Sequence, residues 1–227
     1  MCAHLRTRKK DVESLQGHVI MRNLNRTSTC QPSPSGIARR LKQATFLMTL
    51  ALIVPIASAE ISESLTYSDY EVQANNSRSL ARALNNTSPI RHDGQTFHAY
   101  TSWRVNWRYQ WAADANGDCR ITAVSTGLNT TIQLPRLVGG SDILRERFQR
   151  YLTALNQHEL GHHEIGRKAA LEVNRQLQVM PTMTDCQRLS SAANKLAAGI
   201  VNRLKDEERT YDLITVHGRL QGARLDY

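Results

Sequence analysis

Residues 156–164 read "NQHELGHHE": three histidines and two glutamates in nine positions, with Leu160 the only large apolar side chain among them. The direction this stretch faces decides the fold around it. Such residues need no partner at a surface, but histidines turned into a core must bind something. The flanking sequence turns them inward. From residue 143 to about 179, Phe148, Leu152, Leu155, His158/Glu159, His162, Ile165 and Ala169 recur at helical spacing on one broad stripe, so the histidines interrupt an apolar face. Ser141 or Asp142 can cap the start of this helix, and Pro181 ends it.

On the C-terminal side, residues 186–208, "CQRLSSAANKLAAGIVNRLKDEE", predict a second helix with Leu189, Ala192/Ala193, Leu196, Ile200 and Leu204 on its apolar side. On the N-terminal side the period changes to two. In "TSWRVNWRYQWA" (101–112), Trp103, Val105, Trp107, Tyr109 and Trp111 alternate with polar residues, the pattern of a strand with one face in the core. "DANGD" (114–118) predicts a turn. Residues 119–135 predict one or two further strands, interrupted near Gly127 and stopped by Pro135. "LTYSDYEV" (65–72) reads as a strand and "SRSLARAL" (77–84) as a short helix. The expected fold is α+β: a small antiparallel or mixed sheet packed on one long helix and a second helix. It forms a single domain over 60–227, β-rich over 60–140, helical over 141–210, with a tail over 211–227 that has no clear period.

The formal charge of +9 comes from 29 Lys and Arg against 20 Asp and Glu. Its position matters more than its size. Residues 1–59 hold nine of the basic residues against Asp11 and Glu13, a net of +7, which leaves 20 against 18 in the rest, a net of +2. The domain is therefore close to neutral, and the sequence gives no reason to expect a nucleic-acid partner. The leader has its own logic. Arg39, Arg40 and Lys42 precede an apolar run from Ala44 to Ile56, and Ala57-Ser58-Ala59 then supply small residues before Glu60. This is the layout of a secretory signal peptide cleaved near Ala59-Glu60. The run is shorter than the roughly 20 residues that span a bilayer, so no membrane anchor is expected to remain. The domain is thus expected to be exported, periplasmic or secreted. Its two cysteines, Cys119 and Cys186, are expected to pair as a disulfide.

His158-Glu159-Leu160-Gly161-His162 matches His-Glu-x-x-His. Residues four apart on a helix face the same way, so both imidazoles can reach one zinc ion at about 2.0–2.1 Å. The intervening carboxylate then faces the ion's water, whose pKa zinc lowers to roughly 7, and acts as general base and proton carrier. His163-Glu164 is not a second copy, because position 167 is Arg; those two are expected to face solvent or orient neighbours. A catalytic zinc takes three protein ligands and keeps one position open. The extension with a further histidine six residues past the second is absent, since Ile165 and Lys168 occupy its positions. Glu172 lies about 15 Å further along the same helix and cannot reach. Glu207 or Glu208 could serve only with generous geometry. The favoured third ligand is His217, with Asp212 the close second. Whichever of these two does not ligate, or Tyr211, is expected to stabilise the oxyanion.

"TSWRVNW", Cys119, "TTIQLP", "HELGHH", Cys186 and "YDLITVHGRLQGA" together resemble a family of bacterial exported proteins predicted to be secreted zinc-dependent proteases. The resemblance covers about residues 60–223. It implies a zincin-like fold, with the two histidines on an active-site helix behind a small sheet, and an exported metallopeptidase acting on protein or peptide, cell-wall peptide included. "NTTIQLP" (129–135) would then suit an edge strand that holds an extended substrate, or else an interior strand. The competing expectation is a non-catalytic envelope protein that keeps the zinc as a structural or vestigial site.

Overall fold

A computed structural model describes residues 61–74 and 79–225. The expected leader, with its cleavage point, lies outside these residues, as do the first two positions of the short helix expected at 77–84. Strand β1 (Ile61–Gln73) is followed by α1 (Leu80–Thr87), the two-residue strands β2 (Arg91–His92) and β3 (Gln95–Thr96), β4 (Tyr100–Ala113) and β5 (Cys119–Val138). Then come α2 (Asp142–Gln178), α3 (Cys186–Thr215) and a single 3-10 turn at Arg219–Gln221. The architecture is α+β, with a three-stranded mixed sheet in the order β1-β5-β4. β5 is parallel to β1 and antiparallel to β4. Asp93 and Gly94, both at positive φ, close the small β2–β3 hairpin. A hairpin with two-residue strands is too short to show as alternation.

β5 runs unbroken through both expected stops. Gly127 lies between Ser62 and Asn106 in the registers of the two neighbouring strands. Pro135 lies opposite Tyr70 of β1, beyond Gln133, where the pairing with β4 ends. It therefore sits where only one side of the strand is paired, and a residue without an N–H is tolerated there. The same registers correct the edge-strand reading of 129–135: those residues belong to the central strand, and the edges of the sheet are β1 and β4.

Helix α2 starts where Ser141 accepts a hydrogen bond from the Leu144 amide, with Asp142 in the first turn suiting the helix dipole. Its apolar stripe packs on one face of the sheet. Trp103, Val105, Trp107 and Leu128 cover Ile165, Ala169, Ala170, Val173 and Leu177. Trp103 and Trp107 are core residues, as the alternation predicts, while Trp111 at the strand's end is partly exposed. Asp185 caps α3 by accepting from the Arg188 amide. The Cys119–Cys186 disulfide joins the start of β5 to the start of α3, and backbone hydrogen bonds between Cys119 and Met183 reinforce the junction. α3 then returns along α2, and its helix continues through Thr215, past the boundary expected at 210. A second apolar cluster of Val72, Leu84, Phe148, Tyr151 and Leu155 fixes α1 against the first half of α2. Among the described residues no helix is long and apolar enough to cross a membrane.

Candidate metal centre

His158, Glu159 and His162 are all buried, as the stripe requires. The four-residue spacing on α2 brings the two imidazoles together, with Nε2 of His158 3.3 Å from Nε2 of His162. The helical continuation of α3 brings in the third group. Asp212 Oδ1 lies 3.1 Å from His158 Nε2 and 3.0 Å from His162 Nε2. His158, His162 and Asp212 form the one group among the described residues with donor atoms close enough to share a metal ion. His217, the favoured third ligand of the sequence reading, stands outside it. Its Nδ1 is 3.5 Å from Asp212 Oδ1, and its half-exposed ring meets Phe97 edge-on. The reason is the helix: Asp212 is carried on the inner face of α3, whereas His217 follows the helix end, in a turn where Val216 and His217 both take left-handed φ.

The donors fit an ion. A tetrahedral zinc with bonds of about 2.0–2.1 Å sets its ligand atoms about 3.3–3.4 Å apart, close to the three separations found. The protonation pattern points the same way. His158 Nδ1 lies 2.9 Å from Gln221 Oε1, an acceptor, so that nitrogen carries the hydrogen and Nε2 presents a lone pair to the Asp212 carboxylate. Two lone pairs facing each other across 3.1 Å repel unless a cation or an extra proton stands between them. Burial lowers the affinity of His162 for a proton, but Asp212 and Glu208 outweigh it and hold the imidazole up to about 9. Burial likewise raises Asp212, but its contacts with the His158 and His162 ring nitrogens prevail and hold it well below the usual carboxylate range.

Around this triangle the packing is close. The Tyr211 ring stacks on the His158 imidazole, with centroids 5.0 Å apart and an interplanar angle of 11°. Its hydroxyl donates to the His158 carbonyl at 3.2 Å and also engages Gln221, so it braces the site more than it opens toward a substrate. Gly161 is required here: a Cβ at that position would fall 2.1 Å from the Tyr211 hydroxyl. Gly218, at φ +79°, lets the tail turn pass close to His158, where a Cβ would fall 3.0 Å from that side chain, and Gln221 lies three residues on.

Glu159 Oε2 accepts a 2.7 Å hydrogen bond from Thr101 Oγ1 on the edge strand β4. Burial raises its pKa, partly offset by Thr101 and the two histidines. His163 does not face solvent; it is buried, with Nδ1 3.0 Å from Thr130 Oγ1 of β5, and pins α2 to the sheet behind the motif. Glu164 is exposed. Glu207 is engaged by Lys168 on the surface, while Glu208 points inward and lies 3.4 Å from His162 Nδ1. Thr101 and Gln221 carry no signal in the sequence, since nothing in their spacing links them to residues 158–162.

The chain belongs to a family of bacterial proteins of unknown function, DUF922, whose model matches residues 67–218. That span contains His158, Glu159, His162, Glu208, Asp212 and His217. No curated protein and no solved structure matches the chain.

Proposed function

We propose that this member of the family is a zinc-dependent peptidase of zincin-like design, exported to the periplasm or the cell exterior, that hydrolyses peptide bonds with Glu159 as general base. One observation carries the reading. Two buried imidazoles and a carboxylate converge at 3.0–3.3 Å, and a second carboxylate, which is not one of the three donors, stands beside them. His158, His162 and Asp212 would hold the ion. A bound divalent zinc supplies Lewis acidity, lowering the pKa of water in its open position and polarising a carbonyl. Three protein donors rather than four favour this reading over a closed structural site.

The chain's own residues do the rest. Glu159 accepts the proton of the attacking water and returns it to the leaving amine. Its burial, which raises its affinity for a proton, suits that exchange, because a carboxylate of ordinary acidity is a weak base. Thr101 fixes one of its oxygens and leaves the other free to move the proton. Of the two donors considered for the developing oxyanion, His217 is the freer, since the Tyr211 hydroxyl is already engaged. β4 is an edge strand beside Glu159, so an extended polypeptide can add to it by backbone hydrogen bonds. The disulfide accords with an oxidising compartment.

The test is zinc content measured together with turnover of casein and of peptidoglycan. Glu159→Gln should keep its zinc and lose activity by about 10²–10⁴-fold. Undiminished turnover in that variant would end this mechanism. Zinc binding with no turnover in the wild type would favour the non-catalytic envelope protein.

A further inference from the structure

His162 has two ring nitrogens, and the three-donor triangle uses only Nε2. The other, Nδ1, is buried and has no hydrogen-bond partner in the strict sense among the described residues. Its nearest acceptor is Glu208 Oε1, 3.4 Å away, a distance at which charge acts but the hydrogen bond is not closed. Glu208 is itself almost buried and held from two sides. Trp103 Nε1 donates to its Oε1 at 2.8 Å, and Lys205 Nζ donates to its Oε2 at 2.9 Å while lying 3.6 Å over the Trp103 ring. A largely buried carboxylate aimed at an unsatisfied imidazole nitrogen calls for a role, because burying it without one is costly.

We propose that Glu208 is a positioning residue of the metal centre: it takes the Nδ1 hydrogen of His162, fixes the tautomer that turns the Nε2 lone pair to the ion, and sets how tightly the ion is held. The inference rests on the metal-centre reading above and adds a second tier to it. The tier is asymmetric. His158 is oriented by a neutral amide, Gln221, and His162 by a carboxylate. A carboxylate behind an imidazole makes it the more basic donor, so His162 becomes the stronger of the two. Trp103 and Lys205 act one step further out. They hold both oxygens of Glu208 and so keep the carboxylate oriented toward His162.

The adjacent Glu207 supplies the control. It carries the same charge one residue away but pairs with Lys168 at the surface. Zinc dissociation constants would be measured by competition with a chromophoric chelator for the wild type, Glu208→Ala, Glu208→Gln and Glu207→Gln, each with a melting curve of the metal-free protein. The expected result is a loss of affinity of about 10–100-fold in Glu208→Ala. Glu208→Gln, whose amide oxygen can still accept from Nδ1, should lie between, and Glu207→Gln should stay within about twofold, as an exposed charge would. A purely structural role would lower the metal-free melting temperature and leave affinity intact; that outcome overturns the proposal. So does an equal loss in Glu207→Gln, which would reduce the effect to general charge. If Glu208→Ala does not fold, Glu208→Gln decides alone. A wild type that takes up no zinc is distinguishable from all of these and removes the metal-centre reading itself.

Discussion

The seam between α2 and α3 has two halves that differ in kind. In one, Ala169, Ala170, Val173 and Leu177 of α2 meet Ala193, Ala197 and Ile200 of α3 under Val105, Trp107 and Leu128 of the sheet. It is dry, and small alanines let the helices approach closely. In the other, the same two helices present His158, Glu159 and His162 against Glu208 and Asp212, and the sheet above changes with them. Thr101 and Thr130 stand where β4 and β5 would otherwise continue their apolar rows; Thr101 bonds Glu159 of the motif and Thr130 bonds His163 just after it. The dry half gains its free energy mainly from apolar burial, with the buried amide of Asn174 answered by Thr126. Every group in the polar half is costly until its charge and hydrogen bonds are answered. One half therefore supplies the rigidity, and the other spends part of it to hold donors at fixed separations.

Mutations should separate the halves. Leu177→Ala, in the dry half, should cost about 2–5 kcal/mol of stability in a chemical denaturation series and leave the zinc dissociation constant unchanged. A coupled loss of zinc would show that the halves are not independent. Zinc should act through the polar half alone. At 100 times its dissociation constant it should stabilise the fold by about 2.7 kcal/mol, an increment that Asp212→Ala should abolish in the same melting assay. Stabilisation persisting in that variant would locate the ion elsewhere.

The smallest expected effect is that of pH. In the metal-free protein the folded His162 pKa, about 9, lies above the unfolded value of about 6.5. This group's contribution to metal-free stability is thus full below about 6.5 and is lost as pH rises through about 9. An incoming ion must displace that proton. Below about pH 9 zinc affinity should fall by up to tenfold, about 1.4 kcal/mol, per pH unit. Zinc titrations across the neutral range check this, and a flat profile would mean that no such proton is exchanged.

Most of the dry half was legible in the sequence, because burial follows period. The alternation at 103–109 and the helical stripe from Phe148 to Ala169 both point at the core that forms, and the inward aim of His158 and His162 comes from that same stripe. The end of α3 was not legible, for a physical reason. Over its last turns the helix inverts the usual pattern: Leu213 and Ile214 are exposed, while Glu208, Tyr211, Asp212 and Thr215 face inward. A helix whose buried face is polar shows no apolar period, so residues 211–215 read as an irregular tail and nothing in the sequence ranks Asp212 above His217. Thr101, Glu208 and Gln221 reach the site from three distant stretches, and only the folded chain brings them together.

The parallel pairing of β1 with β5 has a consequence for how the molecule comes into being. Ile61 pairs with Thr126, and each later pair keeps the same offset, so the first strand must wait for more than sixty residues to emerge before its partner exists. The donor set then waits longer still, since Asp212 follows His158 by more than fifty residues. Made from its N-terminus, the polypeptide passes a long stretch of its synthesis with an unsatisfied strand edge. Such non-local assembly is slow, and on the proposed reading an ion can be held only after both long helices have been made.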